Sequence, residues 1–398
     1  MNSSEVTIVE TGVANLASVI TAFEKLGCPI RLSHSAQEID SASHVVLPGV
    51  GSFGAAMEKL QRLGLVDTLR RRFQLGHPTL AICLGLQLLC ETSEESTGVR
   101  GLGVIAMNVQ RLQPGVRVPH MGWNKVMPSA NDSFVEAGHA YFANSYCLAR
   151  APDGWSATHV RHGQSFVAAI EKGNVLACQF HPELSGTWGQ SLLQRWIRGK
   201  RISPVSHTWT SERLGVRVIP CLDVRDGKVV KGVRFENLRT EGDPVEFASA
   251  YENQGADELV VLDVSATLDA RRTALETVRK VRKNLSIPLT VGGGVRSIED
   301  AAALLDAGAD KVAVNSAAVV SPDLINQLAE RFGRQCIVVS IDAKATGANR
   351  WQVMTRSGSA ETGLDVSNWA EEVARRGAGE ILLTSLDRDG TQCGYDLD

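Results

Sequence analysis

Cys83 and the triplet His181-Pro-Glu183 are the groups in this sequence best suited to acyl chemistry. Cys83 closes the short apolar run Thr79-Leu-Ala-Ile, with Gly85 two residues on and a helical run, Leu86 to Glu91, behind it. At such a strand-to-helix elbow a nucleophile is exposed, the helix N-terminus favours its thiolate, and small neighbours allow the tight turn. Ala81 stands where many elbows have glycine. A lone cysteine in an apolar run is more often plain core. His181-Pro-Glu183, about 100 residues further on, changes the balance. Cysteine chemistry needs a base that holds the thiolate and later returns a proton, and a histidine oriented by a carboxylate does both. Pro182 is expected to keep the segment extended, with His181 and Glu183 on one side. Alone, His-Pro-Glu is commonly an exposed turn; after a cysteine elbow it is much more specific.

Leu47-Pro-Gly49-Val50-Gly51-Ser-Phe-Gly54 reads two ways. It matches GxGxxG between a strand and a helix, a dinucleotide fingerprint, which expects an acidic residue at the end of the next strand. That strand runs instead into Cys83, and Pro48 is an awkward entry. Alternatively, the backbone N–H groups of Gly49, Val50 and Gly51 form an oxyanion hole beside the cysteine.

The second half offers carboxylates and glycines. Ile219-Pro-Cys-Leu-Asp223 and Val338-Val-Ser-Ile-Asp342 are apolar runs ending in Asp, and Asp387 and Asp389 follow another. Two carboxylates across one opening can divide acid and base roles if their environments separate their pKa values. An Asp at a strand end can equally be only a helix cap. Gly292-Gly293-Gly294 and Asn315-Ser316 end two further runs, and glycine amides with side-chain donors make a phosphate cradle. Arg217, Glu258, Lys311 and Glu380 each precede an apolar run by one residue. The last three could share an inward layer in which opposite signs satisfy each other, although a solvated rim is the plainer reading.

These groups must be held by strands and helices, and the pattern supplies both. Apolar runs such as His44 to Pro48, Leu259 to Val264 and Ile381 to Ser385 alternate with amphipathic stretches, the α/β signature. At 398 residues, two substantial domains are expected. Residues 200–213 are polar and aperiodic, and we place a linker there, between a domain at 1–199 and a second at 214–398. The second contains an internal repeat: Gly255-Ala-Asp, Gly308-Ala-Asp and Gly377-Ala-Gly each precede an apolar run. Strands beginning near 217, 258, 287, 311, 336 and 380 recur about every 33 residues, the rhythm of a (β/α)8 barrel, in which carboxylates at C-terminal strand ends carry chemistry. The 185 residues from Leu214 to Asp398 hold six of the eight units expected, so the sequence predicts an incomplete (β/α)8 barrel.

With 43% hydrophobic residues and 41 basic against 44 acidic side chains, nothing points to a nucleic-acid or membrane-surface partner. No apolar run reaches a membrane span, Glu5 and Glu10 stand where the apolar core of a signal peptide would sit, so none is expected here, and eight scattered cysteines suit a reducing cytoplasm.

The first half resembles the class I (triad) glutamine amidotransferases, in particular the glutaminase of the imidazole glycerol phosphate synthase family. The likeness spans residues 5 to 198 and rests on Gly12-Val-Ala-Asn15-Leu, the Gly49–Gly54 loop, Ile82–Leu89, Val118–Asn124 and Gln179–Gly186. It implies Cys83 as nucleophile, His181 as base, Glu183 as its orienter, Gly49 and Val50 in the oxyanion strand, and Gln87 holding the substrate glutamine. Asn144 and Leu184 depart from the family's usual His and Lys; the second change removes an ion pair expected to couple the halves. The second half resembles the cyclase of the same family in the stretches 221–244, 291–297, 314–319, 340–343, 362–366 and 382–396. That likeness implies Asp223 and Asp342 as acid and base, Lys231 in a loop over the substrate, and Asp389 as a supporting carboxylate. Gly293, Gly294, Asn315 and Ser316 would contact phosphate, and Arg217, Glu258, Lys311 and Glu380 would gate ammonia. A related isomerase of histidine synthesis shares the barrel but not the fused glutaminase.

The implied function is the fifth step of histidine biosynthesis. Glutamine hydrolysis supplies ammonia, through an interface within the chain, to a bis-phosphorylated nucleotide, with no metal or redox cofactor. A glutaminase serving a separate cyclase chain, or a non-catalytic remnant, is the alternative.

Overall fold

The computed structural model describes residues 4–10, 16–49, 51–129, 132–203, 215–233, 236–264, 268–347, 349–356 and 358–397. The chain forms two compact units, Met1–Arg217 and Val218–Asp398. No described helix is long and apolar enough to cross a membrane.

The first unit is built on a nine-stranded sheet. In spatial order its strands are Ile30–Ser33, Val6–Val9, His44–Leu47, Thr79–Ile82, Val175–Cys178, Gln164–Lys172, Ser156–His162, His120–Pro128 and Gly138–Asn144. The first five run parallel and the remaining pairings are antiparallel. The central parallel strands are buried at every position because both faces are covered, as their near-continuous apolar sequences require. Their side chains alternate between two cores. Val46, Leu80 and Ile82 pack with Phe23, Phe180 and Trp196, while Val45, Leu47 and Ala81 pack with Phe53, Met57 and Phe73.

The register of the central strands brings distant residues level. Thr79–Ile82 pairs in parallel with Val175–Cys178, with Ile82 opposite Cys178, so Cys83 and Gln179 leave adjacent strand ends together. The helix after Cys83 is short, Leu84–Leu88, and the chain turns at once into the strand Cys90–Ser93. This differs from the helix expected through Glu91, because residues 90–93 pair with Ile105–Arg111 in a small side sheet that also takes Tyr146–Cys147.

In the second unit, six parallel strands lie side by side in sequence order: Cys221–Arg225, Leu259–Asp263, Leu289–Gly292, Lys311–Val314, Ile337–Gly347 and Glu380–Ser385. Helices link consecutive strands, and two antiparallel hairpins extend the sheet to ten strands. This is the repeated β/α order that the sequence predicts, and no closed barrel is present among the described residues. The first strand begins at Cys221 rather than near 217, since Pro220 has no N–H to give the ladder.

The repeated Gly-Ala words are helix stops. The amides of Gly308 and Ala309 bond back to Leu305 and Leu304, and those of Gly377 and Ala378 bond back to Ala374 and Val373. The glycines adopt φ of 121° and 119°, which L side chains rarely reach. In the first two copies the Asp that follows accepts a backbone amide from the adjacent segment: Asp257 takes Val218 N, just ahead of strand Cys221–Arg225, and Asp310 takes Leu289 N, the first residue of its strand. In the third, Gly379 replaces it because a Cβ there would meet the Arg334 carbonyl oxygen at 2.2 Å.

Candidate active sites

In the first unit Cys83 sits at φ 51°, ψ −104°, a backbone strained for any residue with a side chain, at the end of a fully buried strand. His181 Nδ1 lies 2.8 Å from Glu183 Oε1, both side chains being buried. The expected extended segment is replaced by a 3-10 turn over Pro182–Leu184, and that turn swings Glu183 back under the imidazole. His181 is anchored through its own backbone, its N–H donating to Tyr141 O and its carbonyl accepting the Ser185 hydroxyl. Burial opposes a charged imidazole, but the Cys83 sulfur and the Glu183 carboxylate outweigh it and hold His181 well above its ordinary value. A thiol facing an imidazole that favours its proton is the arrangement of a cysteine nucleophile with its base.

The loop after His44–Leu47 presses against this elbow. A Cβ on Gly49 would stand 2.3 Å from Gly85 N, and one on Gly85 would stand 2.4 Å from Leu47 O. The two glycines therefore let backbone meet backbone beside Cys83, as an oxyanion strand requires, with Gly51 at φ 96° two residues on. Val50, and the quoted segment 12–15, lie outside the described residues. The dinucleotide reading fails on occupancy. The N–H groups of Phe53 and Gly54, at the start of helix Phe53–Arg62, already donate to Glu95 Oε2 at 2.7 Å and to Ser96 Oγ at 3.0 Å. Glu95 and Ser96 carry no motif and were invisible in the sequence.

Gln87 is buried and donates through Nε2 to Tyr146 O at 3.1 Å and to Gln179 Oε1 at 3.2 Å. Both of those bonds use its amide nitrogen as donor. Asn144 donates to the same Tyr146 carbonyl at 3.0 Å, and Leu184 is buried.

In the second unit Asp223 and Asp342 lie within strands Cys221–Arg225 and Ile337–Gly347 rather than at their ends, because each strand runs on past its Asp into an antiparallel hairpin. Burial pushes Asp223 up to about 6, with Lys231 opposing and Asp389 and Asp342 adding. Burial likewise raises Asp342, opposed by its bond from Asn315 and reinforced by Asp389. Lys231 Nζ lies 3.9 Å from Asp389 Oδ1. Asn315 donates its side-chain amide to Asp342 Oδ2 at 2.9 Å, a bond to the carboxylate that spacing did not reveal. Ser316 Oγ accepts the Arg356 amide at 3.0 Å. Gly293 and Gly294 are exposed; a Cβ on Gly293 would meet Asp263 O at 2.0 Å, so that glycine also has a packing reason.

The solvated rim is overturned for three of its four members. Lys311 Nζ lies 2.6 Å from Glu258 Oε2 and 2.5 Å from Glu380 Oε2, with Lys311 and Glu258 almost wholly buried. Shared strand parity turns them to one face, where the ammonium satisfies both carboxylates. Arg217 belongs to the first unit, its side chain lying over Gly122.

Residues 7–198 match the family described as Glutamine amidotransferase class-I, and residues 217–398 match that described as Histidine biosynthesis protein. The chain is 33% identical to the chloroplastic imidazole glycerol phosphate synthase hisHF of Arabidopsis thaliana over 467 aligned residues, covering 100% of this chain and 79% of the relative. Over 183 residues it is 63% identical to the imidazole glycerol phosphate synthase subunit HisF of Dehalococcoides mccartyi, covering 46% of this chain and 72% of that one. The corresponding subunit of Metallosphaera sedula is 58% identical over 182 residues, with the same coverage. With one family along its first half, another along its second, and a fused relative aligned over its whole length, the chain belongs to the imidazole glycerol phosphate synthase family.

Proposed function

We propose that this enzyme of histidine biosynthesis hydrolyses glutamine in its first unit and uses the ammonia in its second. The Cys83 thiolate attacks the side-chain amide carbon of glutamine, and the backbone of Gly49, Val50 and Gly51 receives the developing oxyanion. His181, held by Glu183, gives its proton to the departing ammonia and then takes one from the water that hydrolyses the thioester. The second unit is read as part of a (β/α)8 barrel, its catalytic mouth formed by Asp223, Asp342, Lys231 and Asp389. Ammonia, passing Arg217, Glu258, Lys311 and Glu380, converts the phosphoribulosyl-formimino-AICAR nucleotide to imidazole glycerol phosphate and AICAR. Gly293, Gly294 and Ser316 are assigned to a phosphate, and the reaction to a reducing cytoplasm, which suits eight free cysteines.

The observation that carries this reading is the buried His181–Glu183 pair facing Cys83 in a chain aligned end to end with a fused synthase. That alignment favours a synthase over a glutaminase alone. The test is product formation with glutamine and, separately, with ammonium salt. Cys83→Ala is expected to lose the glutamine-driven reaction and keep the ammonium-driven one. Glutamate release by that variant, or no product from either nitrogen source in the parent enzyme, overturns it.

A further inference from the structure

We propose that Gln179 donates a hydrogen bond that holds the Cys83 thiolate, and that Gln87, anchored on Tyr146, fixes which way the Gln179 amide points. The inference rests on Cys83 being the nucleophile.

The register places the two residues together. Ile82 pairs with Cys178 in adjacent parallel strands, so the next residue of each, Cys83 and Gln179, emerges at the same level. Gln179 is completely buried, and its Nε2 lies 3.6 Å from Cys83 Sγ.

Which end of an amide faces a partner is decided by its hydrogen bonds. Tyr146 O is a backbone carbonyl and can only accept. The Gln87 atom 3.1 Å from it must therefore be Nε2. That nitrogen is also 3.2 Å from one amide atom of Gln179, which must then be the oxygen. Nε2 of Gln179 is left toward the sulfur, and it has only hydrogens to offer.

A donor aimed at sulfur favours the thiolate, because a hydrogen bond to the charged form stabilises that form. The same bond serves twice in the reaction. It holds the attacking thiolate, and it receives the thiolate released when water cleaves the thioester, a step in which the C–S bond breaks and its electron pair returns to sulfur. This donor is neutral and acts independently of the His181 proton. Gln87 touches no sulfur, so its part is positioning: without it the Gln179 amide can turn its oxygen toward Cys83 and repel the thiolate.

The test is the pH dependence of Cys83 alkylation by iodoacetamide in the full chain, read as labelled peptide by mass, for the parent, Gln179→Met, Gln179→Glu and Gln87→Met. A hydrogen bond to a charged group of ordinary strength moves the pH of half-maximal alkylation by about one unit or more. Both Gln179 variants are expected to move it upward by about that much, and Gln87→Met in the same direction by less. Gln87→Met keeps the test decisive if the Gln179 variants fold poorly. Profiles that coincide with the parent's overturn the proposal and make Gln179 a packing residue. If Cys83 of the parent is not alkylated at any pH, the nucleophile assignment fails, and this proposal with it; that result is distinct from an unmoved profile.

Discussion

Gly49 and Gly85 meet backbone to backbone, a Cβ on Gly49 falling 2.3 Å from Gly85 N. The contact fixes the loop that carries Gly49, proposed above as the oxyanion strand, against the elbow that carries Cys83. Gly49→Ala is expected to push the strand away and lower glutamine turnover about 10²- to 10³-fold, the usual cost of losing an oxyanion donor. Steady-state glutamate release checks this; a loss under threefold in a folded variant shows that the strand has no part in the chemistry.

Glu183 orients His181 and, with the Cys83 sulfur, keeps it protonated above its ordinary range against the effect of burial. Glu183→Gln removes the charge and leaves the shape. The imidazole should then titrate at lower pH than in the parent, observable by nitrogen NMR of labelled histidine. Glutamine turnover should fall by about 10³- to 10⁴-fold, as when the orienting carboxylate of a triad is neutralised. An unmoved titration would mean that Cys83 alone sets the proton affinity of His181.

Much of this was legible in residue types and spacing. The elbow at Cys83, the His181–Glu183 pair, the alternation of strands and helices, and the Gly-Ala repeat all depend on local chemistry or short spacing. What escaped depends on register and burial. Gln179 lies two residues before His181, yet only the pairing of Ile82 with Cys178 sets it beside Cys83. Glu95 reaches helix Phe53–Arg62 from a separate segment. Spacing could not separate a solvated rim from a buried cluster for Glu258 and Lys311, because strand parity says which side a residue faces and nothing of what covers it. The helix expected through Glu91 was lost to strand pairing, a tertiary override of local pattern.

Lys311 lies between Glu258 and Glu380 in buried surroundings. Lys311→Met would leave two carboxylates facing each other without the cation. Removing one partner from a buried ionic group costs about 3–5 kcal/mol, so the second unit should unfold at clearly lower denaturant concentration. The triple change Glu258→Leu, Lys311→Met, Glu380→Leu should recover most of that loss, since burying apolar side chains in place of a satisfied ion cluster is often neutral. Urea unfolding of both variants decides; equal stability of parent and Lys311→Met would mean that the carboxylates find other partners.

Asp223 and Asp342 are both raised mainly by burial, Asp223 up to about 6. If Asp223 serves as the base it must be ionised, and ammonium-driven kcat/KM should then fall as pH drops through about 6, far above the ordinary 3.8. Because Lys231 lowers Asp223, Lys231→Met should move this acid limb to higher pH. Folding stability gives an independent reading. A carboxyl whose folded value lies above its unfolded one opposes folding fully above pH 6 and not at all well below 3.8. Asp223→Asn should therefore raise the melting temperature at pH 8, raise it less at pH 4.5, and abolish cyclisation at both. An acid limb near pH 4 with no gain in melting temperature at pH 8 would mean that Asp223 is an ordinary solvated carboxylate, unsuited to proton transfer near neutral pH.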